Sequence, residues 1–166
     1  MAYTTIPTLT DTVLSAANFN TYLRDNQLAL KNPPSDNFEA NQGSDYTRTS
    51  SAYADISADF SKTIVTTGGD VVVGLSGTFT STSSGLIDIA VDGVRIGTGT
   101  GVSACSVIQT APRYISIVRL ITGLSAGSHT FSIQWRVTSI GTVTLYAGAG
   151  TASYDVHPQF WVRELS

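Results

Sequence analysis

The residues that could do chemistry are few, and they fall in three groups. Gly123-Leu124-Ser125-Ala126-Gly127 matches the G-x-S-x-G pattern of a hydrolase nucleophile, with Asp155 and His157 downstream in hydrolase order. That chemistry needs a strand before the serine and a helix after it, so that the hydroxyl stands exposed on a sharp turn. The residues that follow, SHTFSIQWRV, alternate as a strand. Asp155 and His157 are two apart and share one face of any strand, so the spacing reads as a small-residue turn. Gly97-Thr98-Gly99-Thr100-Gly101 has the glycine content of a phosphate-cradling loop. Such a loop works by opening a helix whose first amides face the anion. VSACSVIQT follows instead, without helical spacing or a nearby Lys, and a loop tip is expected.

Metal chemistry has the same difficulty. His129, Asp155, His157, Asp88 and Asp92 are the available donors, with no H-x-x-x-H spacing, no Cys partner and no calcium-type acidic loop. The single Cys105 allows no disulfide within the chain and reads as a small apolar residue in a strand. No catalytic residue, metal or cofactor is expected.

The elements that must position any site follow from composition. Of 166 residues, 13% are charged, against about a quarter in an ordinary globular chain. Thr (23) and Ser (20) fill the gap, and only two of the nine basic residues are Lys. A net charge of −3 leaves no basic stripe for nucleic acid. No apolar run approaches the roughly 20 residues of a membrane span, and the N-terminus lacks the pattern of a signal peptide.

Every Asn lies within the first 41 residues, and the pattern changes near residue 45. Three parts are expected: an N-terminal arm and helix (1–34), a polar linker (35–45) and a β-domain (46–166). Ser15 reads as a helix N-cap, with Leu14 placed to pack on Phe19. Ala16, Phe19, Leu23, Asn26 and Leu30 recur at spacings of three and four, a short heptad seam with one polar member. Pro33-Pro34 ends the helix. A helix of this length is marginal alone. It either lies on its own β-domain or packs on like helices or a larger assembly.

From Tyr46 onward, strand signals recur about every ten residues, as in a sandwich or barrel. Asp70 to Phe79 contains Gly74 and Gly77, where a bulge or close backbone approach is expected. Leu86 to Val91 alternates, with Ile87, Ile89 and Val91 inward and Asp88 outward. Asp92-Gly93 gives a two-residue hairpin turn. Phe131, Ile133, Trp135 and Val137 form an inward row. Eight or more antiparallel strands point to an all-β, jelly-roll-like sandwich carrying a short helix and an extended arm. In the last strand Trp161 alternates against Phe160 and Val162, so one set faces away from the core. Trp161, Tyr146 and Tyr154 are candidates for an outer face, where aromatics serve subunit packing, core or a sugar-stacking platform.

Two stretches carry a resemblance. Thr10 to Leu30 resembles the N-terminal segment of many tailed-bacteriophage virion proteins, whose pattern runs G-x-x-L-T-A-x-x-L-N-x-x-L-R-D-N-x-x-x-L. It is matched here by Leu14, Ala16, Ala17, Asn20, Leu23, Arg24, Asp25, Asn26 and Leu30. Phe19 stands for the usual Leu, and the upstream Trp and Gly are missing. VVVGLSGTFTSTSSGLIDIAVDGVRIG, LSAGSHTFSIQWRV and TLYAGAG resemble the β-domain that follows in such proteins. The resemblance implies a non-enzymatic virion component, expected as a homotrimeric tail-fibre or tail-tip protein contacting the host surface. The alternative is a head-decoration protein that stabilises the capsid, which the small size favours. The implied partners are further copies of itself, other virion proteins and a host cell-surface glycan, with no nucleic acid and no membrane. Leu14, Phe19, Leu23, Asn26 and Leu30 would then be the anchoring or oligomer contacts.

Overall fold

In the computed structural model, residues 15–40, 44–97, 99–105, 109–148 and 156–165 are described. Ser15 caps α1 (Ala16–Lys31), its side chain accepting from the Asn18 amide at 3.2 Å, and Asn32 ends the helix by donating to the Leu28 carbonyl. Twelve strands follow among these residues. They are β1 (Ser35–Glu39), β2 (Tyr46–Arg48), β3 (Ala54–Asp55), β4 (Ser61–Thr67), β5 (Val71–Ser81), β6 (Gly85–Val91), β7 (Val94–Arg95), β8 (Ser103–Cys105), β9 (Gln109–Ile121), β10 (Ala126–Val137), β11 (Val143–Leu145) and β12 (Gln159–Glu164).

Their pairing is antiparallel throughout and builds two sheets. In the first, β9 lines one edge of β5, while β12 and β11 share the other; β1 flanks β12 and β2 flanks β11. In the second, β4 and β3 share one edge of β10, and β6 pairs with the other and carries β7 and β8. The chain changes sheet at five of the seven steps from β4 to β11, a jelly-roll-like winding. Period-two alternation explains the core between the sheets. Val71, Val73, Leu75 and Phe79 of β5 face Phe131, Ile133, Trp135 and Val137 of β10, and all are buried.

Four local features bear on the sequence reading. Asp92 (φ 50°) and Gly93 (φ 80°) both take the left-handed region that a type I′ hairpin requires. The register shift of β5 lies between Phe79 and Ser81, whereas Gly74 and Gly77 are places of close approach. Asp88 points away from the inter-sheet core but is fully buried. Arg95 pairs with it at 3.0 Å, and the Ile89 and Gly97 amides donate to it. The loop after β7 roofs it, which alternation alone cannot reveal.

The fourth is a correction. Ser35–Glu39, expected within the linker, is a strand paired with β12 along its whole length. Phe38 reaches in from it to meet Phe60 edge-on at 5.2 Å, and Phe60 also meets Tyr46 at 5.3 Å and Phe160 at 6.3 Å. One large apolar residue among five is too little alternation to mark a strand. The ladder with β12 and the Phe38 contact supply what local pattern does not.

Candidate interaction surfaces

The two sheets present different outer faces. On the second, Asp55 accepts from Ser132 Oγ (2.9 Å) and Gln134 Nε2 (3.0 Å). Arg95 and Arg136 lie over the Tyr53 ring, at 4.0 and 5.0 Å from its centroid. Arg136 also donates to the carbonyls of Ser51 and Gly99. Much of this face is a polar network made within the chain, although the buried Tyr53 Oη and Arg136 Nε have no hydrogen-bond partner in it.

The first sheet carries an apolar patch on its outside. Register sets two rows across it: Asn37, Trp161, Gly74 and Val118, then Ser35, Arg163, Val72 and Leu120. Trp161 lies flat because position 74 is glycine; a Cβ there would sit 2.1 Å from indole Cε2. Val118 and Leu120 are 60% and 53% exposed, and Tyr114, further along β9, is 70% exposed. Beside them a groove of about 320 Å³ is lined by Pro33, Val72, Trp161, Arg163, Glu164 and Leu165. Val72, Val118 and Leu120 were not singled out from sequence. The signal was present in YISIVRLI, a strand apolar on both faces.

The expected contact residues separate into two places. Phe19 and Leu23 are about half exposed on α1, and no strand packs extensively against that helix. Asn26, on the same helix, has a buried Oδ1 without a partner. Leu14, Tyr154 and the side chain of Leu30 lie outside the described residues, as do Asp155 and the side chain of Cys105. Trp161 is on the outer face of the first sheet. Tyr146 follows β11, where its amide donates to the Thr78 carbonyl, four residues along β5 from Gly74.

Around the two motifs the local geometry is that of turns. Ser125 is followed by β10, and its carbonyl, rather than its hydroxyl, meets His129 Nε2 at 3.0 Å. His129 Nδ1 lies 2.7 Å from Asp92 Oδ2, and this bond, reinforced by the Ser125 carbonyl, raises the imidazole pKa above its ordinary value. The Thr130 amide, then His129, lowers that of Asp92. His157 is bonded to Glu39 at 3.0 Å. In the glycine loop, the Gly97 amide is taken by Asp88. No three His, Cys, Asp or Glu side chains converge as a metal site among the described residues.

A site that sequence reading missed is Glu164, only 2% exposed. Its Oε1 accepts from the Thr67 amide (2.8 Å), Thr67 Oγ1 (3.0 Å) and the Gly69 amide (2.9 Å). It fastens the β4–β5 turn to the last strand. Nothing in the local pattern of QFWVRE marks it.

No family model and no curated protein matches the chain. Among solved structures, it is similar to dimeric latent PorU from Porphyromonas gingivalis, with 12% identity and a TM-score of 0.36, over 81% of this chain and 13% of that one. It is also similar to a pentameric capsid protein from metagenomic phage sequences, with 12% identity and a TM-score of 0.27, over 97% of this chain and 89% of that one. Likenesses this loose decide neither fold nor function.

Proposed function

We propose that the chain is a non-enzymatic structural protein of a tailed-phage virion, in which α1 anchors and the sandwich faces outward. The observation that carries this reading is the state of α1. The segment that resembles the N-terminal pattern of phage virion proteins is a capped helix whose Phe19 and Leu23 are left uncovered by the sandwich. An isolated helix of this length is marginal in water, so a partner that covers the stripe is what would hold it. The Thr- and Ser-rich, Lys-poor composition suits a particle surface that must avoid non-specific charge contacts.

Within that reading the chain is a homotrimeric tail-fibre or tail-tip protein that meets a host-surface glycan. Imaging purified particles with this protein labelled tests both levels. Label at the tail end supports host contact, and label over the capsid faces supports the decoration role instead. Particles that carry no label contradict a virion role altogether.

A further inference from the structure

We propose that the outer face of the first sheet, centred on Trp161, Val72, Val118 and Leu120, is an interface that a second copy of this chain covers. The proposal deepens the self-association contained in the virion reading by naming its surface.

Three observations lead to it. The face is continuous: the register places Trp161 beside Gly74 and Val118 in one row, and Val72 beside Leu120 in the next. A monomer in water has no use for such a patch, whereas interface centres are enriched in aromatics and depleted in charge. Gly74 keeps it flat by leaving the indole room to lie down.

Next, the neighbouring sheet surfaces are less suited to a partner. The outer face of the second sheet is occupied by contacts of Asp55 with Ser132 and Gln134, and of Arg136 with the Ser51 and Gly99 carbonyls, although Val65 and Val94 stand exposed on that sheet. The long edge strand β9 is blunted against edge-to-edge pairing by Pro112, which has no amide hydrogen, and by Arg119 on its inward side. The face, not the edge, is left for a partner.

Charge then selects the occupant. Arg163 stands on this face at one end of the β12–β1 pairing, opposite Ser35, and Glu39 at the other, opposite Gln159. The row of Trp161 and Val118 lies between them, Val72 and Leu120 share the row of Arg163, and Glu39, which also meets His157 at 3.0 Å, is half exposed. A cation and a carboxylate flanking an apolar centre can each meet its opposite on a neighbouring copy of the same surface, so like chains are matched in charge as well as in apolar area.

Sedimentation and light scattering of the full chain at micromolar concentration test this. The unaltered protein should form a defined assembly. Val118→Arg and Leu120→Arg each bury an unpaired guanidinium and should weaken it about a hundredfold. Val94→Arg, at an exposed site on the other sheet, should leave it unchanged. Arg163→Glu and Glu39→Arg should each weaken assembly, and the double reversal should restore it. Val118 and Leu120 are exposed in the single chain, so circular dichroism should show both variants folded. An unaltered protein that stays monomeric overturns the proposal. So does an assembly indifferent to Val118→Arg and Leu120→Arg, or charge reversals that the double variant does not rescue. Particle labelling reads the virion role separately, so either idea can fail while the other stands.

Discussion

At the scale of single residues, two side chains do what their sequence neighbours do not suggest. Glu164 holds three donors in a site nearly closed to water. Glu164→Ala would leave two amides and a hydroxyl without their acceptor, at a cost of about 2–4 kcal/mol. Urea unfolding should show that loss, with a smaller one for Glu164→Gln, whose amide oxygen can still accept. Gly74 and Trp161 form the other pair. Gly74→Ala should displace the indole, costing about 1–3 kcal/mol, and change tryptophan emission. The same substitution in a Trp161→Ala background should cost much less, because the clash is then absent. Equal costs in the two backgrounds would refute the packing described for this pair. The glycine was legible as a point of close approach; the group approaching it was not, since the two meet only through β5–β12 register.

The His129–Asp92 contact gives a pH dependence with two limbs. The imidazole pKa is raised, so its contribution to stability is complete below the ordinary histidine range and is lost as pH rises through the elevated value. The Asp92 pKa is lowered, so its contribution is complete above the ordinary carboxylate range and is lost as pH falls through the depressed value. The contact therefore stabilises most in mildly acidic solution. The urea midpoint should decline from there toward alkaline pH in the unaltered protein and decline less in His129→Asn. Parallel profiles would show that the pair adds nothing.

At the scale of elements, strands with clean alternation were readable. The second half of β10 shows the rule, with Phe131, Ile133, Trp135 and Val137 inward along one run. β1 shows its limit, because its place is fixed by pairing with β12 and by Phe38 against Phe60. Asp88 shows another: period two gives the side of the sheet but not the loop that covers it. The helix was legible from its cap, apolar spacing and terminal prolines, and Phe19 and Leu23 of that stripe stay about half exposed. Leu23→Ala separates fold from anchoring. Leu23 is 45% exposed and α1 has little contact with the sheets, so unfolding of the sandwich should change by less than about 0.5 kcal/mol. Copies per purified particle should fall. A large loss of sandwich stability with full incorporation would show that the helix serves the domain core instead.

At the scale of the molecule, one sheet face is largely covered by polar contacts and the other carries an exposed apolar patch around Trp161, Val118 and Leu120, with an exposed helix leaving beside it at Pro33. The sandwich is held by its core and ladders, so it should not need the helix to fold. The boundary matters, because the Pro34 carbonyl accepts the Glu164 amide at 2.9 Å and Ser35 opens β1. Removing residues 1–31 spares both. The most direct measurement is therefore the incorporation of that truncated chain into particles, made alongside its thermal unfolding. A cooperative β-rich domain that is absent from purified particles is the predicted result; a truncated chain that folds and still joins the particle at full copy number would contradict anchoring by α1.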